Sequence, residues 1–253
     1  MPRSSQQSYA QFGEDRLLHR LLGESDGVYV EVGGNNGIEA SNSYFFERLG
    51  RRCILVEPIP YMVEQIRANR TCSVIEAAAD EQSGTAEFVI ARGGETLSTL
   101  DNENRFRSRV DEHSDQERIT VRTARLDQIL EEAGLIAGRD RIDLLSIDVE
   151  GNELRALRGL SVALWRPRVI ILEDNSFGRD HSVRKHLART GYTRFKVTGV
   201  NHWFCEASDV ALNTWFRRRI AGAKSAIVRT YGAVSGRGRH AVSRNSHNEL
   251  DRS

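Results

Sequence analysis

No stretch of this 253-residue sequence approaches the ~18 consecutive apolar residues that a bilayer-spanning helix requires, which argues against a membrane-spanning protein. Cysteine is scarce: Cys53, Cys72 and Cys205 are odd in number, far apart and without a Cys-x-x-Cys pair. That excludes a disulfide framework and a cysteine zinc site, and the three read as buried apolar residues. The first residues, Met-Pro-Arg-Ser-Ser-Gln-Gln-Ser, lack the apolar core of a secretory signal, so a cytoplasmic location is expected. No internal repeat and no long featureless linker interrupt the chain before about residue 210. One domain over 1–210 followed by a tail over 211–253 is the expected organisation.

Charge is nearly balanced overall but unevenly placed. From Thr214 onward nine Lys/Arg face only Glu249 and Asp251, which leaves the body acidic. Leu212, Phe216, Ile220, Ala223, Ile227 and Tyr231 recur at helical spacing in that basic stretch. It reads as a helix that packs back on the domain or rests peripherally on an anionic membrane surface, and the Ser-, Gly- and Arg-rich remainder reads as disordered.

The body alternates short Val/Ile-rich runs with helical patterns, as expected of an α/β protein with a mostly parallel sheet. Strands are expected at Gly27–Val32, Cys53–Glu57, Ser73–Ala78, Ile142–Ile147 and Val169–Leu172. Each is a nearly continuous apolar run, so helices should cover both faces. Those helices are expected near Glu14–Leu22, Ala40–Leu49, Tyr61–Asn69, Leu126–Ala133, Glu150–Leu157 and His181–Arg189. Thr85–Ala91 and Ile119–Thr123 read as an extra pair around the long polar stretch Arg92–Glu117, which includes Ser98 and Thr99. Thr193–Val197 and His202–Cys205 read as a terminal antiparallel hairpin.

The chemistry-bearing residues gather where strands end. Glu31-x-Gly33-x-x-x-Gly37, spanning Gly34, Asn35 and Asn36, follows the first strand and precedes a helical pattern. Glycines there permit a sharp turn and close approach of a ligand to backbone N–H groups, with a helix N-terminus adding a positive dipole; alone, the loop is equally a structural turn. The spacing differs from the dinucleotide fingerprint and favours a ligand without a pyrophosphate. Glu57, ending the second strand, is placed to accept ribose hydroxyls, and Asp80 is placed to meet an adenine amino group or to serve as a turn residue. Asp148 follows the fourth strand and Glu173-Asp174 ends the fifth; Asp148 is a candidate base, and Asp148 with Glu173 can share magnesium. Glu150 reads as a helix-start residue. His202 is a further candidate base that can equally be a packing residue. The candidate catalytic set is therefore Asp148, Glu173 and His202.

Gln11-x-Gly13-Glu14-Asp15, Val30-Glu31-Val32-Gly33-Gly34-Asn35-Asn36-Gly37, Ile54-Leu55-Val56-Glu57-Pro58 and above all Ile147-Asp148-Val149-Glu150-Gly151-Asn152-Glu153 resemble the FkbM family of class I methyltransferases. The resemblance runs from about Tyr9 to Cys205, with Gly34 where alanine is commoner and Glu31 where aspartate is commoner. It implies a Rossmann-like, mostly parallel seven-stranded sheet with helices on both faces, S-adenosylmethionine as cofactor, and methyl transfer to a hydroxyl of a sugar, glycan or secondary metabolite.

Two other readings compete. Tyr192-x-x-x-Lys196 has the spacing of a nicotinamide-dependent reductase pair, but that spacing aligns side chains on a helix and this segment reads as a strand. A non-catalytic S-adenosylmethionine-binding partner protein is the other. A nucleic-acid acceptor is not expected: the place after the fourth strand holds Asp148-Val149-Glu150-Gly151, without the Pro-Pro-aromatic motif that would stack a base.

Overall fold

The computed structural model describes residues 7–91, 98–100, 115–174, 176 and 179–214. The basic segment beyond Thr214 and most of the polar stretch 92–117 lie outside these residues. In chain order the elements are α1 (Glu14–Leu22), β1 (Val28–Val32), α2 (Tyr44–Arg48), β2 (Cys53–Glu57), α3 (Pro60–Asn69), β3 (Ser73–Glu76), β4 (Ala78–Ala79), β5 (Gly84–Ala91), β6 (Thr99–Leu100) and β7 (Gln116–Ala124). There follow α4 (Leu126–Glu132), β8 (Ile142–Ile147), α5 (Glu153–Arg158), α6 (Val162–Trp165), β9 (Val169–Glu173), α7 (Ser182–Arg189), β10 (Tyr192–Thr198) and β11 (Asn201–Glu206).

The apolar runs form one seven-stranded sheet in the order β3-β2-β1-β8-β9-β11-β10. Pairings across β3, β2, β1, β8 and β9 are parallel, and β11 enters antiparallel to both β9 and β10. Alternation along each strand sorts its side chains to opposite faces. Val30, Ile54, Leu145 and Leu172 pack with Leu126 and Ile129 of α4, Leu157 of α5, Trp165 of α6 and Leu187 of α7. Tyr29, Leu144, Ile171 and Trp203 pack with Leu18 of α1 and Phe45 and Phe46 of α2, where Tyr29 stacks on Phe46 at 4.0 Å. Both faces are thus covered, which is why these strands carry no polar alternation. Leu212 joins the second cluster, so the chain is still packed on the body there. No helix among the described residues is long and apolar enough to cross a membrane.

A second sheet, in the order β4-β7-β5-β6, stands beside the first. The pairing expected between the extra strands is present as a continuous antiparallel register from Gly84↔Thr123 to Ala91↔Gln116. The run expected as Ser73–Ala78 divides: Ser73–Glu76 pairs with β2, whereas Ala78–Ala79 leaves to pair with β7.

Two helices start later than the spacing predicts, for the same reason. Ala40 has φ 57° and Glu150 φ 45°, followed by Gly151 at φ 96°. Left-handed backbone cannot continue a right-handed helix. The helix expected from Ala40 therefore begins at Tyr44, and the one expected from Glu150 begins at Glu153. The four-residue α6 is too short for its periodicity to register in the sequence.

The early Gly13-Glu14-Asp15 motif fastens the N-terminal segment to the sheet. The fully buried Glu14 carboxylate accepts hydrogen bonds from Phe12 N at 2.7 Å, Thr198 Oγ1 at 2.7 Å and Asn201 Nδ2 at 2.9 Å. It closes the turn joining β10 to β11. Asp15 accepts from Ser8 Oγ and Tyr9 N, which fixes the entry into α1. Replacing Glu14 with Ala leaves Thr198 and Asn201 without their acceptor, and urea unfolding should show a loss of about 1–3 kcal/mol. An unchanged midpoint would refute this fastening role.

Candidate active site

The ends of β1, β2 and β8 open onto a cleft of about 970 Å³, part of it open to solvent. This is the edge of an open α/β sheet at which ligands bind. Glu31, Gly33, Gly34, Asn35, Glu57 and Asp148 all line it. Asn36, Gly37 and Asp80 do not. Asn36 builds the turn, its Oδ1 accepting from Ile38 N at 3.0 Å and Glu39 N at 2.9 Å.

The glycines serve the protein before any ligand. A Cβ on Gly33, whose φ is 88°, would lie 1.8 Å from the Asp148 carbonyl oxygen. Gly33 is therefore required for the β1 and β8 loops to touch, an approach reinforced by Asp148 N donating to Val32 O at 2.9 Å. Gly37, at φ 82°, gives its missing side chain's space to Arg70 and Ile66.

The dipole of the following helix is also taken up internally. Glu31 is buried, and its carboxylate accepts from Ser41 Oγ at 2.7 Å, Ser43 Oγ at 2.5 Å and Asn42 N at 2.6 Å, just ahead of α2. A carboxylate at a helix N-terminus is stabilised by the free N–H groups there. Arg70 stands behind it, 3.7 Å from Glu31 and 2.6 Å from Glu47, donating also to the Gly37 carbonyl and the Ser43 hydroxyl. The segment from Gly37 to Ser43 is thus held by charge on both sides rather than by helix.

Glu57 lies opposite. One oxygen accepts from Asn35 N and the other from Ile59 N, each at 3.0 Å. Burial pushes this carboxyl up to about 7, although the backbone N–H groups pull it down. Beyond it the wall is apolar, with Ile59, Met62, Ala77, Ala78, Phe88 and Leu100. Asp80 faces away from this wall: its two oxygens receive the Arg155 guanidinium at 2.7 and 2.8 Å. The Asp80 carboxylate, expected to meet an adenine amino group, is thus paired with arginine outside the lining of the cleft.

Asp148, Glu150 and Glu173 converge, each offering an oxygen within 4.8 Å of the others. The left-handed turn that shortens α5 is what swings Glu150 into this group. Asp148 opens onto the cleft and is otherwise surrounded by protein; its carboxyl and that of Glu173 are hydrogen-bonded to each other. Burial raises both, and the neighbouring acids raise Glu173 further. Such a cluster holds a proton or a hard cation to offset its repulsion, and three carboxylates suit magnesium.

His202 stands apart, lining a second cleft with Glu173, Asp174, Arg184 and Arg194. Its Nδ1 is 3.5 Å from Asp174, but burial outweighs that neighbour and pushes the imidazole down to about 4. It is neutral near pH 7 and a weak base. Tyr192 and Lys196 sit on strand β10, and the Tyr192 hydroxyl donates to the Pro167 carbonyl at 2.7 Å, a structural bond. Neither lines either of these two clefts.

Three cleft residues were not singled out from the sequence. Ser146 is buried beside Glu31 in register on β8, and Asn42 donates to its hydroxyl at 2.9 Å. The Asn42 Oδ1 is buried without a partner. Asn152 lines both clefts and donates to Thr99 Oγ1, which donates in turn to the Glu150 carbonyl. Ser146 and Asn152 lie in or beside the Asp148 motif, where they were visible; nothing local marked Asn42.

Comparison with known proteins agrees with this geometry. Residues 31–194 match the Methyltransferase FkbM domain. The chain is also 27% identical over 168 residues to 2-O-methyltransferase NoeI of Sinorhizobium fredii, covering 62% of this chain and 67% of that protein. With the matched region spanning more than half of its residues and enclosing the Gly33 loop, Glu57, Asp148 and Glu173, the chain belongs to the FkbM methyltransferase family.

Proposed function

We propose that the protein is an S-adenosylmethionine-dependent O-methyltransferase acting on a hydroxyl of a sugar, glycan or secondary metabolite. The observation that carries the donor is the charge of the first cleft. Glu31, Glu39, Glu57, Asp148 and Glu150 line it, and no Lys, Arg or His does so among the described residues. A pyrophosphate would be repelled there, whereas a ligand carrying a sulfonium and an ammonium is attracted. The nicotinamide reading loses its support on the same ground.

The residues fit the donor part by part. Glu57, with backbone N–H groups of Gly34, Asn35 and Ile59 on its oxygens, faces the cleft as an acceptor for a ribose hydroxyl. The apolar wall from Ile59 to Leu100 suits a purine ring, and the acceptors on Glu31, Asn42 and Ser146 suit an ammonium group. When bound, S-adenosylmethionine supplies a methyl group on a positively charged sulfur, which departs as neutral S-adenosylhomocysteine. Asp148, raised by burial, takes the proton that the acceptor hydroxyl gives up, while Glu173, pushed up to about 10 by burial and by Asp148, keeps its own proton and hydrogen-bonds to Asp148. His202, held near 4, is the weaker candidate. The relative's printed activity, 2-O-methyl transfer, supports oxygen as the acceptor atom.

Asp148→Asn should keep S-adenosylhomocysteine affinity while turnover falls by about a hundredfold or more. Undiminished turnover would sink this assignment, and binding without product from any acceptor would favour the non-catalytic partner reading. If Asp148, Glu150 and Glu173 hold magnesium, EDTA should abolish turnover and added Mg2+ restore it; EDTA-resistant turnover leaves the carboxylates as proton acceptors alone.

Donor affinity should also follow Glu57. Ribose hydroxyls donate to the ionised carboxylate, so binding lowers a group that stands at about 7 in the free protein and releases a proton. Calorimetric affinity for S-adenosylhomocysteine is therefore expected to rise about tenfold from pH 6 to pH 8 and then level off. Glu57→Gln should bind more weakly and lose that slope; a slope that persists in the variant points to another group.

A further inference from the structure

The second cleft is lined by none of the residues assigned to the donor above, yet it is built against the same carboxylates. It encloses about 1190 Å³, part of it open to solvent, between the start of α5, the end of β9, the start of α7 and the β10–β11 hairpin. Asn152 lines both clefts; Asp148 and Glu150 line the first and Glu173 the second. Since the three carboxylates lie within 4.8 Å of one another, they stand at the junction of the two spaces. A group seated in the second cleft therefore reaches these carboxylates from the β9 side, past the Asn152 that both clefts share.

The lining discriminates among acceptors. Glu153, Glu173, Asp174 and Asp180 alternate with Arg155, Arg184 and Arg194, with two histidines between them. This surface offers both hydrogen-bond donors and acceptors, the match for hydroxyl groups, which do both. Leu154, Leu172, Val183 and Phe204 also line it, and their apolar atoms beside those polar groups match the C–H faces of a pyranose ring. Arg184 is exposed at the cleft and, among the described residues, makes no hydrogen bond or ion pair.

Resting on the methyltransferase reading above, we infer that this second cleft seats the acceptor and that the acceptor is a carbohydrate held through its hydroxyls, with Arg184 among its donors. The hydroxyl to be methylated points past Asn152 toward Asp148 and Glu173.

The test uses the full chain, saturated with S-adenosylhomocysteine, and saturation-transfer NMR with methyl hexopyranosides and short oligosaccharides as probes. Arg184→Ala removes an exposed donor, and Ser182→Trp places a bulky ring in the cleft mouth. Wild type should show sugar contact, and both variants should bind sugar about tenfold more weakly with S-adenosylhomocysteine affinity unchanged. Sugar binding that ignores both substitutions, or no sugar binding while S-adenosylhomocysteine binds normally, overturns the inference and leaves the donor site standing. Failure to bind S-adenosylhomocysteine brings down the donor reading and this inference with it.

Discussion

The site depends on the buried pairing of Glu31 with Arg70. Glu31 is the penultimate residue of a fully buried strand, where an uncompensated carboxylate would be costly. Its charge is offset by the N-terminus of α2, two serine hydroxyls and the Arg70 guanidinium. Arg70 in turn reaches Glu47 and the Gly37 carbonyl, so β1, the turn after it, α2 and the end of α3 are tied through one ion network. That network leaves Gly33–Asn35 facing the cleft, turns Asn36 and Gly37 away from it, and returns Glu39, Ala40 and Asn42 to its wall.

Charge then separates the two spaces. Among the described residues the ionisable groups lining the first cleft are all acids, which favours a cationic ligand there, whereas the second mixes both signs. The carboxylates Asp148, Glu150 and Glu173 stand between them. Desolvation makes the Asp148 and Glu173 carboxyls harder to ionise than they would be in water, the property that the proposed proton transfer draws on. The Thr99 and Asn152 hydrogen bonds brace the left-handed Glu150 turn from the second sheet, which gives that sheet a part in shaping the junction.

Much of the fold was legible because burial writes itself into hydrophobic pattern. The strands at Cys53–Glu57 and Ile142–Ile147 and the helix at Glu14–Leu22 lie where their apolar runs and spacing indicated. The helix starts were legible less well, since Ala40 and Glu150 carry no local sign of left-handed backbone; neither is glycine, and only the surrounding contacts hold them there. Among site residues, Glu31, Glu57, Asp148 and Glu173 were visible as acids at strand ends. Asp80 was visible by the same rule and lies elsewhere, because an arginine from α5 claims it.

The sequence by itself determined the strand and helix content, the acidic strand ends and the family, since these depend on periodicity and on motifs contained in short segments. Only the tertiary structure decided which acids share a space. Gly33 could be read as a turn for a ligand, but the atom that occupies its missing side chain is the Asp148 carbonyl, 115 residues away in the chain. Glu150 joins Asp148 and Glu173, and Asn42 reaches Ser146, for the same reason: parallel strands distant in sequence become neighbours only when the sheet is assembled.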